Sequence, residues 1–154
     1  MKTLVVYYSR SGNTRKIAHE IARLLNADVD EIVSLRRYGG VFGYIKAGYH
    51  ALKGKIVKIK FIKNIDAYAW IIIATPNWGA RMASPVLSYL KLHDLSKKNI
   101  GVCCVQGGSG GEKVISQEEN IIGKKARASL IINQADFKDN GYVSKIKGFC
   151  NKLA

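Results

Sequence analysis

The sequence predicts an α/β fold: a doubly wound parallel sheet of five strands with helices on both faces. Three observations point there. Short apolar runs rich in β-branched residues alternate with segments whose apolar positions recur at helical spacing. Two of the runs, AWIIIATP (69–76) and NIGVCCVQ (99–106), are apolar without alternation, as strands covered on both sides are. The joints between run and helix carry Gly, Pro, Asn and Ser, which end one element and start the next. Strand and helix alternate along the whole chain, a pattern that right-handed crossovers fold into one parallel sheet.

In chain order, TLVVYYS (3–9) reads as the first strand, with Tyr7 and Tyr8 directed to opposite faces. NTRKIAHEIARLLN (13–26) places Ile17, Ile21, Leu24 and Leu25 on one helical stripe. ADVDEIVS (27–34) is the second strand, and 69–76, ending at Pro76, the third. SPVLSYLKLHDL (84–95) is a helix with Ser84 expected as N-cap and Pro85 at its first position. After the fourth strand (99–106), GGSGG (107–111) leads into a helix over 112–122, and ARASLIIN (126–133) is the fifth strand. NGYVSKIKGFCNKLA closes the chain with Val143, Ile146, Phe149, Cys150 and Leu153 at helix spacing. The stretch between the second and third strands is longer than an ordinary crossover. In it, GVFGYIKAGYHAL (40–52) is expected to hold a helix despite its glycines, and KIVKIKFIK (55–63), alternating lysine with apolar residues, a half-exposed edge strand. No repeat, low-complexity tract or linker divides the chain, so residues 1–154 read as a single domain.

Hydrophobic residues make up 47% and charged residues 23% of the chain, ordinary for a soluble globular protein. No apolar run approaches the roughly 20 residues that span a bilayer, and Met1-Lys2 leads straight into a strand pattern. The expectation is a cytoplasmic protein with no membrane partner. Cys103 and Cys104 are neighbours in a strand and point to opposite faces, while Cys150 is remote, so reduced buried thiols are expected. His19, His50 and His93 lack ligand spacing, and no metal site is expected. The charge is less ordinary: 25 Lys and Arg against 11 Asp and Glu give a formal net charge of +14. Between Ser34 and Lys63 there is no acidic residue, whereas Arg36, Arg37, Lys46, Lys53, Lys55, Lys58, Lys60 and Lys63 are all basic. Such a field attracts anionic cofactors, acidic protein surfaces or nucleic acid, unless it serves only as a solvated face.

Ligands of open parallel sheets bind beyond the carboxyl ends of the strands, near the point where strand order reverses. The loops to read are therefore SRSGNT (9–14), TPNWGAR (75–81) and QGGSGG (106–111). The first lies between a strand and a helix N-terminus, where free N–H groups and the helix dipole favour an anion. Ser9, Ser11, Asn13 and Thr14 add donors, and Gly12 allows close backbone approach. These residue types also cap helices and build turns, but four polar side chains in six residues exceed what one cap needs. A phosphate held by neutral donors is the expected ligand. Other phosphate motifs are excluded. No loop ends in the Gly-Lys-Ser/Thr of a P-loop, and the dinucleotide fingerprint fails because the first loop has one glycine and the second strand ends in Ser34. Six residues after Cys103 and Cys104 stand Ser109 and Gly110, so the arginine of a cysteine phosphatase loop is missing.

YYSRSGNTRKIA resembles the phosphate loop of the flavodoxin family, Thr/Ser-x-Thr/Ser-Gly-Asn-Thr after the first strand and at the start of the first helix. IIIATPNWGARMASPV resembles the second flavin loop of that family, QGGSGG stands where the third is expected, and GGVFGYIKAGYHALKG is similar to a segment of short flavodoxin-like reductases. The resemblance implies a sheet of order 2-1-3-4-5 and FMN as cofactor. It implies that Ser9, Ser11, Asn13 and Thr14, with the amides of Arg10 and Gly12, hold the phosphate. Pro76, Asn77, Trp78 and Gly79 would line the isoalloxazine ring, Trp78 stacking on one face, and Gly107, Gly108, Ser109 and Gly110 would bring backbone amides to its pyrimidine edge. The third loop lacks the aromatic residue that covers the second flavin face in many electron carriers, and the chain is basic where those carriers are acidic. A positive surround, to which Arg10 and Arg15 add, favours the negatively charged form of a bound redox group and raises its potential.

No nucleophile or acid–base pair stands out, Asp66, Asp94 and Glu112 being scattered, so no catalytic side chain is expected and the chemistry falls to the cofactor. The expected function is electron transfer between redox partners, one of them acidic. The alternative is an FMN-dependent NAD(P)H:quinone-type reductase, which the uncovered flavin face and basic segment would suit. A third reading, a basic nucleic-acid-binding module, finds no recognised module in the lysine-rich stretch.

Overall fold

The computed structural model describes residues 2–153. The chain runs β1 (Thr3–Tyr7), α1 (Asn13–Leu25), β2 (Asp28–Glu31), β3 (Val33–Ser34), α2 (Gly40–Leu52), β4 (Ile59–Lys60), β5 (Trp70–Pro76), α3 (Ser84–Leu92), β6 (Asn99–Gln106), α4 (Gly111–Ile122), β7 (Ala128–Asn133) and α5 (Tyr142–Leu153). Single 3₁₀ turns stand at Ile65–Ala67 and Gln134–Phe137. Five strands form one sheet of order β2-β1-β5-β6-β7, every neighbouring pair parallel. Among these five alone the order is 2-1-3-4-5, as expected.

Alternation along the strands divides the core into two layers. Val5, Tyr7, Ile72, Ala74, Cys103, Val105, Leu130 and Ile132 pack with the inward faces of α1 and α5. Leu4, Val6, Tyr8, Ile71, Ile73, Ile100, Val102 and Cys104 pack with α3, α4 and parts of α2. Tyr7 and Tyr8, and Cys103 and Cys104, therefore serve opposite faces. All three thiols are free and buried, and burial pushes the thiols up, Cys150 to about 11, which leaves them protonated at neutral pH. Glu118 shares an inward stripe of α4 with Val114 and Ile122. It is fully buried with neither carboxylate oxygen hydrogen-bonded among the described residues, and burial holds its carboxyl well above the usual range.

Three local expectations are corrected. The 27–34 strand breaks at Ile32: β2 stays in the main sheet, while β3 pairs antiparallel with β4, Val33 opposite Lys60 and Ser34 opposite Ile59. The 55–63 run is thus no edge of the main sheet. Its strand is short because the Asp30 carboxylate takes the backbone N–H of Ile62 at 3.0 Å and of Lys63 at 2.6 Å, a side-chain anchor in place of a ladder. Ser84 lies inside α3 rather than capping it; the cap is Ala83, whose amide donates to Thr75 Oγ1 at 3.1 Å. The glycines of α2 have a partial reason. A Cβ on Gly43 would stand 2.3 Å from the carbonyl carbon of Tyr38, so the helix crosses that backbone where only glycine fits.

Candidate functional site

β1, β5 and β6 all end at one edge of the sheet, and the loops that follow them meet there. In the first, Ser9 Oγ accepts the Gly12 N–H at 3.0 Å and closes the turn. Gly12 then enters α1 at φ 101°, a left-handed conformation natural to glycine. The helix ladder begins with the Lys16 N–H donating to the Gly12 carbonyl at 3.0 Å, and among the described residues no side chain caps the N–H groups of Asn13, Thr14 and Arg15. Ser11 and Thr14 line the space beyond, and neither hydroxyl has a hydrogen-bond partner among the described residues.

The second loop is a tight reversal. Trp78 N–H donates to the Arg81 carbonyl at 2.8 Å, Gly79 and Ala80 sit at φ 63° and 60°, and Asn77 bridges to Met82. Asn77 Oδ1 holds the strained Ala80 by accepting its N–H at 2.7 Å. The Asn77 amide also donates to Ser109 O at 2.7 Å and Gln106 Oε1 at 3.1 Å, tying the second loop to the third. Gln106 Nε2 passes the chain on to Asn133 Oδ1 at 2.8 Å, and Asn13 Nδ2 donates to Gln134 Oε1 at 3.2 Å. The ends of β5, β6 and β7 and the start of α1 are thus linked by side-chain amides.

These loops enclose a cleft of 240 Å³. It brings together Arg10, Ser11, Asn13, Thr14, Pro76, Asn77, Trp78 and Gly107 from the sequence-predicted set. Gly79, Gly108, Ser109 and Gly110 line an open groove that shares Asn77 and Gly107 with the cleft. Ser9 and Gly12 shape the first loop without lining the cleft. Around Gly107 and Gly108, chain neighbours apart, no atom of the described residues lies within 4 Å of where a Cβ would stand, so backbone is accessible on that side.

Trp78 is only 6% exposed. Tyr8 and Tyr38 meet its ring edge-on at centroid distances of 5.5 and 5.0 Å, and Tyr38 OH in turn pairs with His50 Nδ1 at 3.0 Å. Trp78 is therefore a wall held in a buried aromatic cluster, not a free ring at the rim. Burial raises the Tyr38 phenol and carries that of Tyr8 to about 12. Burial and the nearby Lys55, Arg36 and Lys46 lower His50, so the cluster is neutral at physiological pH.

Four lining residues were not anticipated: Tyr44, Val105, Gln106 and Gln134. Tyr44 comes from α2, 66% exposed, with the Arg10 guanidinium 5.0 Å from its ring centroid. Arg10 makes no ion pair among the described residues, whereas Arg15 is bound to Glu31 at 2.6 Å, so Arg10 is the uncompensated charge at the mouth. Beside the cleft lies an apolar pocket of 270 Å³ lined by Tyr44, Ile45, Tyr49 and Trp78 among others.

The chain matches no protein-family model and no curated protein. Solved structures do match it. A provisionally assigned flavoprotein from Bacteroides uniformis superposes with a TM-score of 0.81 at 19% identity, over 95% of this chain and 97% of that one. A flavoprotein from Lactobacillus acidophilus in complex with FMN matches at 0.72 and 18% identity, over 90% and 97%. Oxidised flavodoxin 2 from Bacillus cereus matches at 0.64 and 20% identity, over 99% and 97%. At these identities the likeness is one of fold: the chain has the flavodoxin-like architecture.

Proposed function

We propose that this protein binds FMN in the cleft and transfers electrons between redox partners. The observation that carries the reading is the start of α1 at the cleft: uncapped first-turn N–H groups beside the unpartnered hydroxyls of Ser11 and Thr14. A phosphomonoester fits that donor set, because it offers several acceptors and a charge that the helix dipole favours. The fold neighbour in complex with FMN supports the choice of ligand.

Each residue then has a part. Ser11, Asn13 and Thr14, with the α1 amides, hold the phosphate. Arg10 adds the positive charge at the mouth. Trp78 and Pro76 give an apolar wall, and Gly107 and Gly108 leave backbone open to a flat heteroaromatic edge. Asn77 and Gln106 fix the spacing of these loops rather than spending their own hydrogen bonds on ligand. When bound, the flavin supplies the one- and two-electron chemistry, and the chain supplies binding, orientation and electrostatics.

A second reading, an FMN-dependent reductase of quinone type, is favoured by one observation: the apolar pocket beside the cleft is suited to a small apolar ring. Steady-state oxidation of NADPH with a water-soluble quinone separates the two. Turnover by the FMN-loaded chain alone supports the reductase, and turnover only with an added reductase protein supports the carrier.

A further inference from the structure

α2 carries apolar side chains on both of its sides. Gly43, Ala47, His50 and Ala51 face the core. At about 100° per residue, Val41, Phe42, Ile45, Tyr49 and Leu52 fall within one arc of about 100° on the opposite side. All five are exposed, and Phe42 at 89% and Val41 at 76% stand almost clear of the fold. Single exposed apolar residues are ordinary, but a continuous stripe along one helix marks a surface that something covers. Lys46 and Lys53 fall along one flank of the stripe, and the segment that contains it has eight basic and no acidic residues from Ser34 to Lys63.

The charge selects the occupant. A second copy of this chain would set two basic rims against each other at +14 each. An interface for one particular protein gains its register from charges of both signs, and the single sign here reads no register. A flank of lysines beside protruding apolar side chains, in a segment with no acidic residue, suits an extended anionic surface into which those side chains insert.

We propose that α2 lies on anionic lipid, with Val41, Phe42, Ile45, Tyr49 and Leu52 at the boundary between headgroup and acyl chain and the flanking Lys46 and Lys53 on the headgroups. This is attachment to a surface, distinct from spanning, for which no described helix is long and apolar enough. Ile45 and Tyr49 also line the apolar pocket beside the cleft, so attachment sets that pocket at the lipid boundary. The inference is independent of the cofactor.

Co-sedimentation of the full chain with vesicles tests it. Binding is expected to phosphatidylcholine vesicles containing about one-third phosphatidylglycerol, and to fall at least about tenfold with phosphatidylcholine alone or at about 0.5 M salt. Phe42→Asp with Ile45→Asp should weaken binding at least about tenfold while leaving circular dichroism and thermal midpoint unchanged, since both side chains are exposed. Lys46→Gln with Lys53→Gln should weaken it several-fold. Failure of the wild-type chain to sediment with anionic vesicles overturns the proposal. So does undiminished sedimentation of the Asp variant, which would assign the attraction to net charge alone. Self-association in lipid-free buffer that the Asp variant abolishes would give the stripe to a second copy, and saturable, stripe-dependent binding of a polyglutamate probe without vesicle binding would give it to an acidic protein.

Discussion

At the carboxyl edge of the sheet, Asn77, Gln106 and Asn133 join three strand ends through side-chain hydrogen bonds of 2.8 and 3.1 Å, and β5 and β6 are buried on both faces. Across 35–68, between the second and third main strands, the chain holds its shape with far less. A two-residue ladder joins β3 to β4, Asp30 anchors the backbone of Ile62 and Lys63, and Gly43 rests on Tyr38. The first region spends most of its side-chain amides on itself and leaves Arg10, the hydroxyls of Ser11 and Thr14 and the α1 amides free. The second buries Tyr38, Ala47, Ala51 and Ile65 but leaves the outer stripe of α2 and most of its basic side chains open to the outside. Free donors in a rigid frame are the condition for a preorganised small-ligand site, and open apolar surface on a lightly held helix is the condition for contact with something larger.

The largest effect should come from removing the free donors. Ser11→Ala with Thr14→Ala is expected to lower FMN affinity about 100-fold or more, since each hydroxyl faces a charged group, and isothermal titration measures it. The same pair should leave the lipid binding of α2 untouched. An equal loss of both would mean that the two regions are not separate.

Next comes the contact that seats α2. Gly43→Ala places a methyl within 2.3 Å of the Tyr38 backbone and should cost about 1 to 3 kcal/mol in denaturant unfolding. Phe42→Ala on the outer side should change stability by less than about 0.5 kcal/mol. Equal effects would show that the helix is held by its outer face.

Much of this was legible in the sequence, for identifiable reasons. Continuous apolar runs such as IIIATP announce strands covered on both faces, and the loop at the strand-to-helix joint supplies residues that line the cleft. Tyr44 was not legible as a cleft residue because it arrives from a helix outside any loop motif, and its place depends on how Gly43 seats that helix. Gln106 and Gln134 sit at strand ends, where an amide has no pattern of its own until its partners are placed. The break at Ile32 was hidden because the backbone of 62–63 pairs with a side chain, Asp30, which periodicity does not register.

Smaller effects sharpen the contrast further. Asn77→Ala should lower FMN affinity about tenfold by releasing the second and third loops from each other, with hydrogen exchange rising in 77–80 and 107–110 and not in 40–52. Glu118→Gln touches neither region. The unfolded chain releases that proton near 4.5, whereas the folded chain keeps it to much higher pH, so folding takes up a proton and stability falls as pH rises above that value. The Gln variant should melt with the wild type at about pH 4 and a few degrees above it at about pH 8. A gap that widens toward acid would show that the carboxyl is ionised in the fold.

The central claim is that the cleft at the start of α1 is a flavin phosphate site. Titration of the apo chain with FMN and with riboflavin, which lacks only the phosphate, tests it most directly. Saturable binding of FMN, one per chain, at least about 100-fold tighter than riboflavin and reduced to the riboflavin level by Ser11→Ala with Thr14→Ala, is the predicted result. Equal affinity for the two flavins, or no binding of FMN by the folded chain, would contradict it.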